Sequence, residues 1–157
     1  MDLVHEYREA QRGEELARLR RAIALRAMIA TGMTQRNVAK ALGISQPAVS
    51  QQLTSSADLT EVHPELLLEA ATPVLKELAE DLGYRRLAAF GSIARHEARA
   101  DSDIDLLVDV PNGTSTFAFI RFKQLLEQVL GREIDLVAYG GLKPRRDEDI
   151  RREAVLL

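Results

Sequence analysis

Two aspartates open a short apolar run in the second half of the chain, as Asp103-Ile104-Asp105 followed by Leu106 to Val108. Alternate residues of a strand share one face, so the pattern predicts both carboxylates on one side, with Ile104 in the core. Carboxylates about 7 Å apart repel each other unless a cation lies between them, and hard oxygen ligands suit Mg²⁺. The pair therefore predicts a metal site at the beginning of a strand.

A second motif, Gly91-Ser92, lies ten residues before Asp103, at the end of the apolar run Leu87 to Phe90. Glycine lets the backbone approach a ligand closely, and the residues that follow can begin a short helix whose free N–H groups attract phosphate. Arg95 is the best candidate to neutralise phosphate charge. A phosphate cradle beside a carboxylate-bound cation suits phosphoryl or nucleotidyl transfer. The alternative is a strand with surface aspartates after a glycine turn.

The elements around these motifs predict a small α/β fold in the order helix, strand, strand, helix, strand, helix. The first of these helices should begin at Pro64, kink or divide at Pro73 and end at Gly83. The strands are expected at Tyr84 to Phe90, Asp103 to Val110 and Glu133 to Tyr139, and the later helices from Ser115 or Thr116 to Gly131 and from about Pro144 through Val155.

The spacing of Gly91-Ser92 and Asp103-Ile104-Asp105 resembles the signature of the polymerase-β-type nucleotidyltransferase superfamily. The fuller text GSIARHEARADSDIDLLVDV is similar to the smallest branch of that superfamily, the minimal nucleotidyltransferases, and the resemblance covers about residues 84–157. One departure is His96, at a position where the family usually has glycine.

The resemblance implies a third carboxylate on a later strand, and Asp135 fits it. It also implies Mg²⁺, with two ions expected, and ATP as the substrate. An acceptor hydroxyl would attack the α-phosphorus in line, and pyrophosphate would leave. The expected site residues are Asp103, Asp105 and Asp135 for catalysis and metal binding, and Gly91, Ser92 and Arg95 for nucleotide binding.

Charge is unevenly distributed along the chain. Residues 1–57 carry eight Lys or Arg and five acidic residues, a net charge of +3, and residues 58–157 carry −6, which together give −3. A basic part joined to an acidic part indicates two tasks, one of them suited to nucleic acid.

The basic part contains two short helical patterns after a longer helix predicted over residues 4–31. Thr34 and Ser45 are good N-caps, Gly43 permits a turn between the two helices, and Pro47 falls in a first turn, where its missing N–H costs nothing. The pattern predicts a helix-turn-helix and resembles that of λ-repressor-like bacterial regulators. The alternative is an ordinary tight helical hairpin.

In a helix-turn-helix, the second helix enters the major groove by its N-terminal end. The side chains expected to reach bases are therefore Gln46, Ser50 and Gln51, and those expected at phosphates are Thr34, Gln35 and Arg36. Few basic residues can face DNA, so a single copy should bind weakly, and a homodimer is expected.

Other features exclude some classes of protein. The chain has no cysteine, which excludes disulfides and zinc–thiolate sites. No apolar run approaches 18 residues and the N-terminus is charged, so no membrane contact and a cytoplasmic location are expected. The histidines His5, His63 and His96 are scattered in the sequence and are interpreted as surface or packing residues.

The sequence thus predicts two domains. An all-α helix-turn-helix DNA-binding domain (1–57) is followed by a linker with connecting helices (58–83) and by an α/β minimal nucleotidyltransferase domain with a short mixed sheet (84–157).

Minimal nucleotidyltransferases are often antitoxins of HEPN-domain ribonuclease toxins, which they bind and adenylylate on tyrosine. The resemblance therefore implies an antitoxin that modifies such a toxin and binds its own operator DNA. The alternatives are a transferase acting on RNA or a small molecule, and a catalytically silent DNA-binding regulator.

Overall fold

The computed structural model describes residues 1–55 and 59–157. The predicted boundary at residues 57 and 58 lies outside the described residues. Two short 3₁₀ turns, Leu59–Glu61 and Tyr139–Gly141, accompany the helices and strands of the described part. In chain order the helices and strands of the described part are α1 Leu3–Ala30, α2 Gln35–Leu42, α3 Gln46–Ser55, α4 Pro64–Asp81, β1 Arg85–Phe90, α5 Gly91–Ala94, β2 Ile104–Asp109, α6 Thr116–Leu130, β3 Ile134–Ala138, α7 Glu148–Glu153 and β4 Val155–Leu156.

The strands form one mixed sheet in the spatial order β3-β2-β1-β4. β1 is antiparallel to both of its neighbours, whereas β2 and β3 are parallel. A parallel pair requires a crossover connection, and α6 supplies it. The mixed sheet and the helix-rich composition are consistent with the predicted minimal nucleotidyltransferase fold.

The two faces of the sheet have different coverings. The inner face presents Leu87, Ile104 and Leu106 to a core that also contains side chains of α1, α4 and α6. The outer face presents Phe90 and Leu107, which pack against the segment after β3 through apolar side chains such as Leu142 and Ile150. Polar side chains at the ends of the strands can therefore emerge on the outer face, beside the C-terminal segment.

Helix α1 contributes to two separate apolar clusters of the described residues. Its Leu19, Ile23 and Ala27 pack in the main core with α4 and α6. Leu25, from the same helix, packs instead with Val38 and Val49 of α2 and α3. The N-terminal part of the chain is therefore attached to the sheet through a shared helix.

Several arginines of the basic N-terminal part bind other parts of the protein. Arg12 pairs with Glu69, and Arg20 donates to the carbonyl of Ala70 at 3.2 Å, both in α4. Arg26 donates through Nη2 to the carbonyl of Gln128 at 2.8 Å, near the end of α6. Part of the positive charge therefore attaches α1 to its neighbours, which weakens the argument from net charge to nucleic acid.

Helices α2 and α3 are joined by a three-residue turn, 43–45. Gly43 adopts a left-handed conformation with φ of 69°, which glycine permits without strain. The Thr34 side chain accepts a hydrogen bond from the Asn37 amide, and Ser45 accepts one from the Ala48 amide, so both predicted N-caps are formed. DNA binding by this pair of helices stays a prediction.

Three details differ from the sequence prediction. α4 is continuous through Pro73 and is not divided there, because buried residues on both sides, including Ala70 and Leu75, pack it against the core. α7 begins at Glu148, four residues after Pro144. Val155, predicted at the end of the last helix, lies instead in β4, where it pairs with Ala89.

Within residues 1–55 and 59–157, none of the helices combines the length and the apolar character that crossing a membrane requires.

Candidate active site

The parallel pairing of β2 and β3 brings two of the predicted aspartates side by side. Asp105 and Asp135 are directly paired in register. Both alternate with core residues and so lie on the outer face of the sheet. Asp103 is exposed in the residue before β2 and has the same alternation as Asp105. The structure therefore brings together the three carboxylates that the sequence predicts as a site.

The surroundings of Asp105 disfavour its charged form. Partial burial, followed by the negative charges of Asp135 and Asp103, raises the pKa of Asp105 from 3.8 to about 6. Arg95 acts in the opposite direction, and Glu153 adds a smaller negative contribution. This pattern indicates carboxylates that repel one another in a partly desolvated position, an arrangement typical of functional sites.

The donor set fits a divalent cation, because hard carboxylate oxygens suit Mg²⁺ and the charge of the ion would remove the repulsion around Asp105. As the side chains lie, however, no three His, Asp or Glu residues in 1–55 and 59–157 are already arranged around a common ion position. The assignment of Asp103, Asp105 and Asp135 as metal ligands stays a prediction.

Gly91 follows Phe90, which pairs with Asp105 across β1 and β2. Its φ is 69°, and a Cβ at this position would lie 2.2 Å from Oδ2 of Asp105. Glycine is therefore needed here to make room for the carboxylate and to allow the left-handed backbone. Close approach of a ligand to the backbone also requires a small residue here, so the position has two physical reasons for glycine.

The backbone amide of Gly91 has a partner that the sequence argument missed. It donates a 3.0 Å hydrogen bond to Oε1 of Glu153, at the end of α7. The other oxygen of Glu153 accepts a 2.8 Å hydrogen bond from Nη1 of Arg95, whose Nε donates to Glu97 at 3.1 Å. Both contacts raise the pKa of Arg95, and the hydrogen bond to Glu153 has the larger effect. Glu153 thus joins two of the residues predicted to bind phosphate.

Ser92 is half-buried in α5, which is a single helical turn and much shorter than a helix with a substantial dipole. Its carbonyl accepts a 2.9 Å hydrogen bond from the Glu97 amide, and the buried Ile93 anchors the turn in the main core. The turn is held by backbone bonds and packing, so its amides have fixed positions next to Asp105.

The loop between α5 and β2 contains the one family departure noted in the sequence. His96 adopts a φ of 57°, a conformation that glycine adopts most easily, so the preference for glycine has a backbone cause. Its Nδ1 lies 3.2 Å from Oε1 of Glu65. The Nδ1 of His63 accepts a hydrogen bond from the Glu65 amide, and its Nε2 lies 3.1 Å from the Ala98 carbonyl. Two histidines that look unrelated in the sequence therefore lie beside one glutamate.

Arg132 holds the loop that precedes Asp103. Its guanidinium donates to the carbonyls of Ala100 at 2.7 Å, Ser102 at 3.2 Å and Val62 at 2.8 Å. Arg132 lies just before β3, so it connects the part of the chain that carries Asp103 with the strand that carries Asp135. A single arginine gives no local signal in the sequence, and this positioning role was not predicted.

The residues predicted to contact DNA lie on the α2–α3 pair. Gln46 donates through Nε2 to Oε1 of Gln35 at 2.7 Å, across the turn between the helices. Arg36 and Gln51 are exposed and Ser50 is half-buried. The oxygen of Thr34 already caps α2.

Replacement of Gly91 by alanine should destabilise the fold more than the same replacement at Gly113. Both glycines have a left-handed φ, 69° and 82°, but a Cβ at Gly113 meets nothing within 4 Å. The shared strain is about 1–2 kcal/mol, and the excess at Gly91 measures the clash with Asp105. Urea unfolding of both variants gives the comparison. Equal losses of unfolding free energy would show that Asp105 moves aside without cost.

Asp105→Asn should stabilise the folded state at neutral pH. A carboxyl group whose pKa is raised from 3.8 to about 6 on folding supports stability fully below pH 3.8, and this support is lost as the pH rises through 6. Asparagine cannot ionise, so the variant should gain in melting temperature over the wild type between pH 4 and pH 7.5, measured without divalent cations. Asp101→Asn, in the exposed loop before β2, is the control. A difference independent of pH would contradict the assigned environment of Asp105.

Comparisons with known proteins agree with this site. The family described as "Nucleotidyltransferase domain" matches residues 73–157, slightly more than half of the chain. The protein adenylyltransferase MntA of Thermococcus cleftensis is 42% identical over 80 residues, which are 51% of this chain and 81% of that protein. A protein of Methanocaldococcus jannaschii that is assigned as a protein adenylyltransferase is 42% identical over 73 residues, 46% of this chain and 78% of its own length.

A solved structure assigned as a minimal nucleotidyltransferase shares 40% sequence identity with this chain, with a TM-score of 0.53. The match covers 66% of this chain and 99% of that structure. Both the sequence and the fold of the C-terminal part therefore agree, and the chain belongs to the nucleotidyltransferase domain family and is a nucleotidyltransferase.

Proposed function

We propose that this nucleotidyltransferase transfers AMP from ATP to a hydroxyl group of a partner protein. The observation that carries the proposal is the register of β2 and β3, which pairs Asp105 with Asp135 next to Asp103 and Gly91. The names of the relatives support the choice of a protein acceptor, since MntA of Thermococcus cleftensis is a protein adenylyltransferase.

The chain offers donors for the phosphates beside the carboxylates. The amide of Gly91 and the guanidinium of Arg95 both already bind a carboxylate oxygen, so they can bind an oxyanion. Ser92 lies in the same turn and would add a hydroxyl. These groups would hold the β- and γ-phosphates and align the α-phosphorus with the face that carries the aspartates.

Asp103, Asp105 and Asp135 would hold Mg²⁺, with two ions expected. The bound cation supplies charge neutralisation at the phosphates and orients the leaving group. Asp135, the exposed member of the β2–β3 pair, would receive the proton of the acceptor hydroxyl. As the acceptor oxygen bonds to the α-phosphorus, the bond to the bridging oxygen breaks and pyrophosphate leaves.

The acceptor that fits best is a protein. Residues 58–157 carry a net charge of −6, which disfavours binding of an RNA backbone. The candidate site lies on a sheet of four short strands, which is too small to enclose a large substrate, so such a substrate has to bring its own binding surface. We place the protein in the cytoplasm as an antitoxin whose partner is a HEPN-type ribonuclease toxin. Transfer to RNA or to a small molecule is the alternative.

Incubation with labelled ATP, Mg²⁺ and the protein encoded by the neighbouring gene should label that protein on a Tyr, Ser or Thr hydroxyl. Asp135→Asn should stop labelling, because it removes the proposed proton acceptor and Mg²⁺ ligand. It should leave complex formation intact, because the side chain keeps its shape. Asp101→Asn should retain labelling. Intact-mass spectrometry reads the gain in nucleotide units. Preferential labelling of bulk tRNA would reject the protein acceptor, and complex formation with no transfer to any acceptor would favour the silent regulator.

The α2–α3 pair suggests that the same protein also binds operator DNA as a homodimer. Gln35 uses one N–H of the Gln46 amide and thereby fixes its orientation. The other N–H and the side-chain oxygen of Gln46 stay available, and these are the two groups that read N7 and N6 of adenine. Arg36 is exposed at the beginning of α2 and would contact phosphate.

Gln46→Ala should reduce discrimination between operator and random DNA by about 1–3 kcal/mol, because it removes a base contact. Arg36→Ala should weaken both complexes alike and lower their dependence on salt. Gln124→Ala, an exposed change on α6, is the control. Gel shifts with the DNA upstream of the gene, at two salt concentrations, test this. No binding by the wild type would assign α2 and α3 to packing or assembly.

A further inference from the structure

Glu153 lies where an oxyanion ligand of the proposed site would lie. Its two carboxylate oxygens divide between the Gly91 amide, at 3.0 Å, and Nη1 of Arg95, at 2.8 Å. A phosphate presents the same chemistry, two oxygens on one negatively charged group, to the same two donors. The contact pairs residues that are 62 and 58 positions apart in the chain, so it is a product of the tertiary fold.

The backbone delivers this carboxylate to the site. Glu153 is the last residue of α7, and Val155, two residues later, is paired with Ala89 of β1. Gly91, two residues after Ala89, directly follows that strand. The side chain is therefore held close to its donors by the sheet itself, at a high effective concentration.

We propose that Glu153 competes with nucleotide phosphate for the Gly91 amide and Arg95, and so sets the affinity of the enzyme for its nucleotide. The inference rests on the proposed nucleotide site. A phosphate and the Glu153 carboxylate cannot both accept from the single N–H of Gly91. They would also place two anions beside Asp103, Asp105 and Asp135, so binding of the nucleotide turns the Glu153 side chain away.

The competition is of a strength that a polyphosphate can overcome. The side chains of Arg95 and Glu153 are 46% and 24% exposed, and ion pairs of this exposure are weak. If a ligand needs the form of the protein in which Glu153 is displaced, its apparent dissociation constant is the intrinsic constant divided by the fraction of the protein in that form. Removal of the carboxylate charge should therefore tighten binding of anions.

The test uses the full-length protein and inorganic tripolyphosphate with Mg²⁺, measured by isothermal titration calorimetry. Glu153→Gln keeps the shape of the side chain without its charge and should lower the dissociation constant about tenfold. Glu148→Gln, an exposed change at the other end of α7, should leave it unchanged. An equal or higher dissociation constant for Glu153→Gln would overturn the proposal and show that Glu153 only positions Arg95.

A second measurement uses the wild type, so it does not depend on the folding of a variant. Tripolyphosphate should speed hydrogen exchange of residues 148–157, because α7 loses its bond to Gly91. Binding without any change in this segment would overturn the inference. Neither readout requires nucleotide transfer. If the protein transfers no nucleotide but shows both effects, the proposal for Glu153 stands and the proposed transfer does not. If it transfers nucleotide and shows neither effect, the proposed transfer stands and the proposal for Glu153 does not.

Discussion

Strand β2 is paired on both sides, and this double pairing fixes the candidate site. Asp105 faces Phe90 of β1 on one side and Asp135 of β3 on the other. Because side chains alternate across a sheet, a shift of one residue in the β2 register would turn Asp105 into the apolar core. The neighbours of Asp105 on β2, Ile104 and Leu106, are fully buried on the inner face. Their burial stabilises the register against the repulsion of the carboxylates.

The helical part of the chain is mechanically connected to this sheet through α1. Ile23 packs in the core behind the sheet, and Leu25, two residues later, packs against α2 and α3. A tilt of α1 would therefore disturb both clusters, since close-packed interiors transmit small displacements. The N-terminal helices and the nucleotidyltransferase domain therefore share α1 as one structural element.

Sequence reasoning succeeds where a residue type and its spacing have one physical explanation. The alternation of Asp103 and Asp105 around Ile104 predicts their common face, and the apolar run that stops at Gly91 predicts the end of β1 at Phe90. Contacts between distant segments cannot be predicted in this way. No residue near Glu153 in the sequence indicates that its carboxylate reaches Gly91, and none near Arg132 indicates its three carbonyl partners. Val155 was misplaced because a two-residue strand is too short to show a periodicity, and its pairing with β1 is decided by tertiary structure.

The three carbonyls around Arg132 distinguish arginine from lysine at this position. A planar guanidinium presents N–H groups in several fixed directions and so satisfies Val62, Ala100 and Ser102 at once, from two of its nitrogens. A lysine ammonium is a compact point charge with a flexible stem and cannot span the same three oxygens. Its three acceptors are neutral backbone carbonyls, so these hydrogen bonds do not depend on the charge of Asp105. The loop that carries Asp103 is therefore held in a way that acid does not loosen, even where the neighbouring carboxylates change their charge.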